Sequence, residues 1–176
     1  MSTGEKITKL NSTQYETRIV KLQKSLNRKV KGSSNYLKTK DKLAIAHLKL
    51  KNLRSDYIHK LSWKLVSEFD TIVIEDLKVS NLLKNHRLAK SISHASWHEL
   101  RRQLKYKCNW YDNELSIVPP HYTSKECSEC GFVNKELSLD IRSWVCPSCN
   151  IIHDRDINAA INILNRRNDG DSLVIN

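Results

Sequence analysis

The sequence predicts an α/β fold that carries a long basic helical hairpin and a small insert built on paired cysteines. Three observations predict it. Apolar residues recur at helical spacing through residues 13–69 while Lys and Arg fill the other faces. The run Thr71-Ile72-Val73-Ile74-Glu75-Asp76-Leu77 then places three consecutive β-branched residues ahead of two carboxylates. Finally, Cys127-Ser128-Glu129-Cys130 is followed, after fifteen residues, by Cys146-Pro147-Ser148-Cys149.

Taken in order, Ile19, Leu22 and Leu26 lie three and four apart and predict an amphipathic helix within Thr13 to Lys31. Lys31-Gly32-Ser33-Ser34-Asn35 breaks the pattern with turn chemistry. A longer helical run follows to about Phe69, with a stripe through Ile45 or Leu48, then Leu50, Leu53, Tyr57, Leu61 and Leu65. The two stripes would zip together as a hairpin. Residues 71–77 read as a short buried strand, because a continuous apolar run suits a strand covered on both faces, and carboxylates just past such a strand sit where α/β sheets place ligand chemistry. Val79 to Ser93 is polar and basic and reads as a loop with a helical turn. Ser93 is placed to cap a helix reaching about Tyr111, with Trp97, Leu100, Leu104, Cys108 and Tyr111 on one face. Cys108 in that stripe reads as a small buried hydrophobe rather than a reactive thiol, and Trp97 as core rather than a stacking platform. Glu114 to Val118 is a second short strand, stopped by Pro119-Pro120.

Composition narrows the function. With 176 residues, 39% hydrophobic, 4 Gly and 3 Pro, the chain is neither collagen-like nor a disordered linker. No window approaches the roughly 18 unbroken apolar residues of a membrane span, and Met1 to Leu10 lacks the apolar core of a signal peptide, so a cytoplasmic location without a membrane partner is expected. The formal charge is +11. Twelve basic residues and one acidic residue lie between Arg18 and Arg54, so this stretch alone accounts for all of the excess. Long solvated helices are often Lys-rich; the alternative is a surface for a polyanion, with Lys21, Lys24, Arg28, Lys29, Lys31, Lys38, Lys40 and Lys42 as the nucleic-acid-binding candidates.

Five cysteines, four of them in two CxxC pairs, favour metal over disulfides. Two residues between paired cysteines let a tight knuckle turn both sulfurs onto one tetrahedral ion. Cys127, Cys130, Cys146 and Cys149 are thus the expected ligands of a structural Zn²⁺ with no open position for catalysis. Gly131 and the Phe132 to Val145 stretch fit two strands joined by a turn. Tyr122, Lys125, Phe132, Lys135, Arg142 and Trp144 supply aromatic and basic groups compatible with stacking and phosphate contact. After the second knuckle, Ile157, Ala160, Ile161 and Leu164 predict a helix packed by its apolar face. Asp154 is placed to cap it. Asp156 and Glu75, from a helix and a strand end, could instead share Mg²⁺, which prefers oxygen ligands and substrate phosphates.

The segments Ile72-Val73-Ile74-Glu75-Asp76-Leu77, Tyr122-Thr123-Ser124-Lys125-Glu126-Cys127-Ser128-Glu129-Cys130-Gly131, Trp144-Val145-Cys146-Pro147-Ser148-Cys149 and Asp154-Arg155-Asp156-Ile157-Asn158-Ala159-Ala160, in this order, resemble the C-terminal half of insertion-sequence TnpB (OrfB) proteins. The resemblance covers roughly Gly4 to Arg167. It implies a partial RNase-H-like RuvC fold interrupted by a zinc-ribbon insert, within a transposon-encoded RNA-guided DNA endonuclease. The implied division is an N-terminal remnant at 1–12, a partial RuvC-like domain at 13–118 that includes the basic hairpin at 13–69, a nucleic-acid-binding ribbon at 119–152, the last RuvC-like helix at 153–167 and a flexible tail at 168–176. In that family three carboxylates hold two Mg²⁺ ions. By motif, Glu75 matches the Glu and Asp156 the last Asp, with Asp154 an adjacent candidate. One metal would activate the attacking water and the other stabilise the leaving oxygen. The implied partners are DNA and a guide RNA.

The first carboxylate of the family, in a Gly-Ile-Asp-x-Gly strand upstream of the hairpin, has no counterpart in this sequence. Asp41, Asp56 and Asp70 are not positioned to replace it. A catalytic set lacking one ligand is expected to be inactive alone. Three readings stay open: an inactive nucleic-acid-binding member of the family, half of an enzyme completed in trans by a separate N-terminal piece, or a regulator that uses only the ribbon and the hairpin.

Overall fold

In the computed structural model of the chain, residues 1–8, 10–77, 97–138 and 140–167 are described, together with the backbone of residues 173–174. The expected loop at Val79 to Ser93, the Ser93 cap and the tail at 168–176 lie outside the described residues, apart from that two-residue strand. The chain divides into two units, residues 8–61 and residues 1–7 with 62–176.

The first unit is the helical hairpin. Helix α1 spans Thr13–Asn27 and helix α2 Ser34–Glu68, the latter about 50 Å long at about 1.5 Å per residue. Tyr15, Ile19 and Leu22 are half-buried and Leu26 is buried, so α1 packs on the stripe its spacing predicts. In α2 the expected stripe holds from Leu50 through Leu53, Tyr57, Leu61 and Leu65 and departs only ahead of Leu50. Ile45 and Leu48 are exposed, whereas Thr39, Ala46, Leu50 and Ile58 are buried and Leu43, Leu53 and Tyr57 half-buried. The repeat 39, 43, 46, 50, 53, 57 alternates four and three, the heptad seam of two closely paired helices. Small Thr39 and Ala46 occupy seam positions that apolarity alone would not select. Between the helices Gly32 adopts φ +86°, where a side chain is strained, and the Ser33 hydroxyl accepts the Tyr36 N–H at 3.2 Å to start α2.

In the second unit, strand β1 (Thr71–Glu75) pairs in parallel with β2 (Glu114–Val118), from Thr71 opposite Glu114 to Glu75 opposite Val118. Strand β5 (Leu173–Val174) lies antiparallel on the far side of β2, so the order β1-β2-β5 puts β2 in the centre. This corrects the expected burial. Leu115 to Val118 are all buried, whereas in β1 only Ile72 is, Val73 and Ile74 being half-buried on an edge that no other described strand covers. Helix α3 (Trp97–Tyr111) buries Leu100, Gln103, Leu104, Lys107 and Cys108, and burial pushes the Cys108 thiol up, as expected of a packed hydrophobe. Trp97 is 45% exposed and is not core. The buried polar pair on α3 is satisfied from α2: Lys107 Nζ donates to Ser62 Oγ at 2.7 Å, and that hydroxyl donates to Gln103 Oε1 at 2.9 Å. Asn113 Nδ2 donates to the Val66 and Phe69 carbonyls, closing the C-terminal end of α2.

The two CxxC turns follow β2, and they are built alike. Cys127 N–H donates to Phe132 O and Gly131 N–H to Cys127 O; Cys146 N–H donates to Ile151 O and Asn150 N–H to Cys146 O. The residue that ends each turn has positive φ, Gly131 at 74° and Asn150 at 61°. Strands β3 (Ser143–Val145) and β4 (Ile152–Asp154) pair antiparallel across the second knuckle, while a single bridge joins Glu126 and Val133 across the first. Among the described residues, the expected strand–turn–strand inside Phe132 to Val145 is therefore absent, because each knuckle reverses the chain and pairs its own flanks. Helix α4 (Arg155–Asn165) follows β4 directly and packs on β1. Among the described residues, no helix is long and apolar enough to cross a membrane.

Candidate metal centre and neighbouring carboxylates

Four sulfurs converge where the knuckles meet. Sγ of Cys127, Cys130, Cys146 and Cys149 all lie within 4.8 Å of one another, with 3.7 Å from Cys127 to Cys149 and 3.6 Å from Cys130 to Cys146. A tetrahedral Zn²⁺ with sulfurs at about 2.3 Å requires edges of about 3.8 Å, so the spacing fits an ion of that size at the centroid. The thiols also perturb one another. Burial pushes Cys127 up. Burial opposes ionisation of Cys146 too, but the Cys149 and Ser148 N–H groups and the sulfurs of Cys130 and Cys149 outweigh it and leave that thiol at about 7. For Cys149 the Ile151 N–H works the other way, and burial with three sulfur neighbours pushes it up to about 12. Cys146 thus favours the thiolate whereas Cys127 and Cys149 favour the thiol, and a bound cation would draw such thiols to the charged form. Cys127 and Cys146 pack with Leu137 and Trp144, and Trp144 is only 5% exposed. Of the aromatic and basic groups named for contact, Trp144 is thus committed to the ribbon core. Lys125 Nζ donates to Lys135 O at 2.7 Å, whereas Tyr122 and Phe132 stay exposed.

Helix α4 does not pack by the face its apolar spacing predicts. Its buried residues are Arg155, Asn158 and Asn162; Ile157, Ala160 and Ile161 are half-buried and Leu164 is 40% exposed. The reason is the ribbon. Asn158 Oδ1 accepts the Ser128 N–H at 2.9 Å and its Nδ2 donates to Glu126 O at 2.7 Å, while Asn162 Nδ2 donates to the Thr123 and Glu126 carbonyls at 2.8 and 2.7 Å. Arg155 donates to Ser138 O and Ser124 Oγ. An irregular loop presents backbone groups that must be paired, and amides on a helix answer them where apolar side chains cannot. Arg155, Asn158, Asn162, Thr123 and His153 are absent from the site residues that the sequence suggests. Polar residues at 155, 158 and 162, three and four apart, were the available signal.

The carboxylates have distinct partners. Glu75, at the end of β1, accepts a 2.5 Å hydrogen bond from the Thr123 hydroxyl, whose own carbonyl is held by Asn162. Asp154 caps α4 as expected, accepting the Asp156 and Ile157 N–H groups, and pairs with Lys6 at 2.7 Å. The Lys6 ammonium foremost, and then the Ile157 N–H, hold its carboxyl below the usual range. Asp156 is exposed, with Arg142 at 3.7 Å. Among the described residues the four cysteines are the single group of three or more potential ligands within reach of one ion; Glu75, Asp154 and Asp156 do not form such a group. In the hairpin, Lys21, Lys24, Arg28, Lys31, Lys38, Lys40 and Lys42 are exposed. Lys29 differs: its Nζ donates to Asn35 O and Thr39 Oγ1 at 3.2 and 2.5 Å, stapling the turn.

Fold and site define a mixed α/β protein with a four-cysteine cluster that could hold a metal ion, its ribbon seated on helix α4. Residues 97–163 match the family described as "Cas12f1-like, TNB domain" and residues 1–86 the OrfB family described as "Probable transposase". A protein of Streptomyces pristinaespiralis named "Putative RNA-guided DNA endonuclease" is 48% identical over 93% of this chain and 41% of its own length. One of the same description in Escherichia coli K12 is 37% identical over 93% of this chain and 45% of its own length, and a mimivirus TnpB-like protein is 31% identical over 91% and 29%. Among solved structures, a chain from a Cas12f1–sgRNA–target DNA complex superposes with a TM-score of 0.64 at 22% identity over 88% of this chain and 41% of its own. A chain from a CRISPR-Cas12f ternary complex gives 0.67 at 24% over 86% and 31%. The chain belongs to the TnpB (OrfB) family, and it spans less than half the length of these relatives.

Proposed function

We propose that these 176 residues form the carboxylate-and-ribbon portion of an RNA-guided DNA nuclease with an RNase-H-like RuvC fold, in which residues 13–118 and 153–167 are RuvC-like and residues 119–152 are a zinc ribbon that contacts nucleic acid. Glu75 and Asp156 are the catalytic carboxylates, with Asp154 engaged as a helix cap beside them. The observation that carries this is the link from β1 to α4: Thr123 holds Glu75 by its hydroxyl and Asn162 by its carbonyl, so the strand end and the helix bearing Asp156 are tied to one loop. The four thiolates bind Zn²⁺, whose part is to hold the ribbon, and the exposed hairpin cations bind the phosphates of DNA or guide RNA. Because the resemblance supplies only Glu75 and Asp156 of the family's three carboxylates, cleavage needs a further acidic ligand. The test is plasmid cleavage in Mg²⁺ by the purified chain. No cleavage is expected, and Mg²⁺-dependent cleavage abolished by Glu75→Gln would overturn the requirement.

One observation favours completion in trans or by further polypeptide. By the edge of β1 that no other described strand covers lies a largely apolar cavity of about 470 Å³, lined by Val73, Ile74, Leu77, Trp97, Leu100, Leu104 and Ile163 together with Glu75, His98 and Arg101, a surface suited to further polypeptide. Supplying a family N-terminal piece with its Asp-bearing strand is expected to restore cleavage, and failure of the two to co-purify would count against this reading.

A further inference from the structure

The ribbon contains a buried histidine that zinc coordination does not use. His153 sits at the centre of β4, directly across from Trp144 in β3. It is 7% exposed. Its ring lies against the indole of Trp144 with centroids 5.0 Å apart and planes inclined by 37°, and its Nε2 is 3.1 Å from Sγ of Cys127. The imidazole is therefore held on one side by an aromatic face and aimed on the other at a ligand sulfur. Cys127 is itself only 1% exposed, so no water shell competes for its charge. The Cys130 and Glu129 N–H groups already face that sulfur from within the knuckle, and His153 Nε2 adds a partner from the neighbouring strand.

We propose that His153 is a positioning residue for the metal centre: its Nε2–H donates to the Cys127 thiolate, fixing the direction of that ligand and withdrawing charge from its sulfur. The proposal rests on the reading of the four cysteines as a metal site. Outer-shell partners of this kind orient ligands and tune the metal they hold. The position in the chain adds a consequence. His153 is followed by Asp154, the cap of α4, and then by Asp156, so the same hydrogen bond joins the first knuckle to the strand that delivers the carboxylate helix. The first knuckle is thereby grasped from two directions, by the imidazole at Cys127 and by Asn158 at the Ser128 N–H.

The test uses the whole chain loaded with Co²⁺, whose thiolate charge-transfer and ligand-field bands report the donor set. His153→Phe retains a ring against Trp144 without the donor, and His153→Gln returns an N–H without the ring. Wild type is expected to show four-thiolate intensities. His153→Phe is expected to keep those intensities, shift the charge-transfer band to longer wavelength and release metal to a chelating dye about 10–100-fold faster, with His153→Gln partly restoring both. Bands and release rates at wild-type values in His153→Phe would overturn the proposal, and so would a wild-type spectrum of three thiolates and one nitrogen, which would make His153 a ligand. Absence of thiolate bands in wild type would instead defeat the metal reading itself. Should the Phe variant not fold, nitrogen NMR of the Zn²⁺-loaded wild type decides: a slowly exchanging Nε2–H on His153 supports the bond, and an unprotonated Nε2 refutes it.

Discussion

Replacing Asn158 by alanine tests how the carboxylate helix is fastened to the ribbon. Asn158 is 1% exposed and makes two hydrogen bonds, to the Ser128 N–H at 2.9 Å and Glu126 O at 2.7 Å. The Glu126 carbonyl keeps Asn162 as a donor, so its loss is the ordinary net value of one bond, about 0.5–1.5 kcal/mol. The Ser128 N–H keeps no such substitute and carries the cost of a donor left unsatisfied, about 1–3 kcal/mol. The sum expected for Asn158→Ala is about 1.5–4.5 kcal/mol. Leu164→Ala is the control, because the apolar pattern marks Leu164 as core whereas it is 40% exposed. A fully buried leucine would lose about 2–5 kcal/mol on truncation; here about 1 kcal/mol or less is expected. Urea unfolding of the Zn²⁺-saturated chain by circular dichroism, with amide exchange at Ser128, measures both. A slope of about 1–3 kcal/mol/M turns the asparagine loss into a midpoint shift on the order of 1 M, with Ser128 protection falling at least about tenfold. A larger loss for Leu164→Ala than for Asn158→Ala would refute the asparagine clamp.

Thr123→Val removes the hydroxyl bonded to Glu75 and is expected to cost about 1–2 kcal/mol, a fall of a few degrees in Tm for a chain of this size, about 2–4 °C per kcal/mol; Thr123→Ser should restore it. The Arg167 guanidinium foremost, then the Ser116 hydroxyl, hold the Glu114 carboxyl below its ordinary value. Since a depressed folded value gives stability that is present above the unfolded carboxylate range, about 4.3, this contribution should disappear as pH falls below that range. Glu114→Gln should flatten that part of the acid-unfolding curve, and an unchanged curve would contradict the assignment. Affinity for double-stranded DNA should weaken steeply with salt, and a Lys38→Gln, Lys40→Gln, Lys42→Gln triple variant should reduce the log–log slope by about 2–3. Lys29→Gln should leave the slope near wild type and lower hairpin stability, because that ammonium is engaged by Asn35 and Thr39. Chelation, or Cys146→Ser, should remove about one zinc per chain and expose Trp144, read as a red shift in a variant whose other tryptophans are phenylalanine.

The local rules written into the sequence carried far. CxxC spacing alone brought Cys127, Cys130, Cys146 and Cys149 together, since a two-residue knuckle leaves little choice about where its sulfurs point. Asp154 as a cap, Cys108 as a buried thiol, the α1 stripe and the turn at Gly32 follow from contacts within a few residues, which periodicity and turn chemistry report directly. Tertiary pairing decided the rest. Glu114–Val118, not the more apolar-looking Thr71–Leu77, took the centre of the sheet, because centrality depends on which neighbours arrive on each side. The heptad seam of α2 selected Thr39 and Ala46 over Ile45 and Leu48, because close helix approach favours small residues that hydrophobicity ranks low. Above all, Asn158, Asn162, Arg155 and Thr123 turned inward and Leu164 outward, because the loop of the first knuckle presents backbone donors and acceptors from far along the chain that a sequence pattern does not contain.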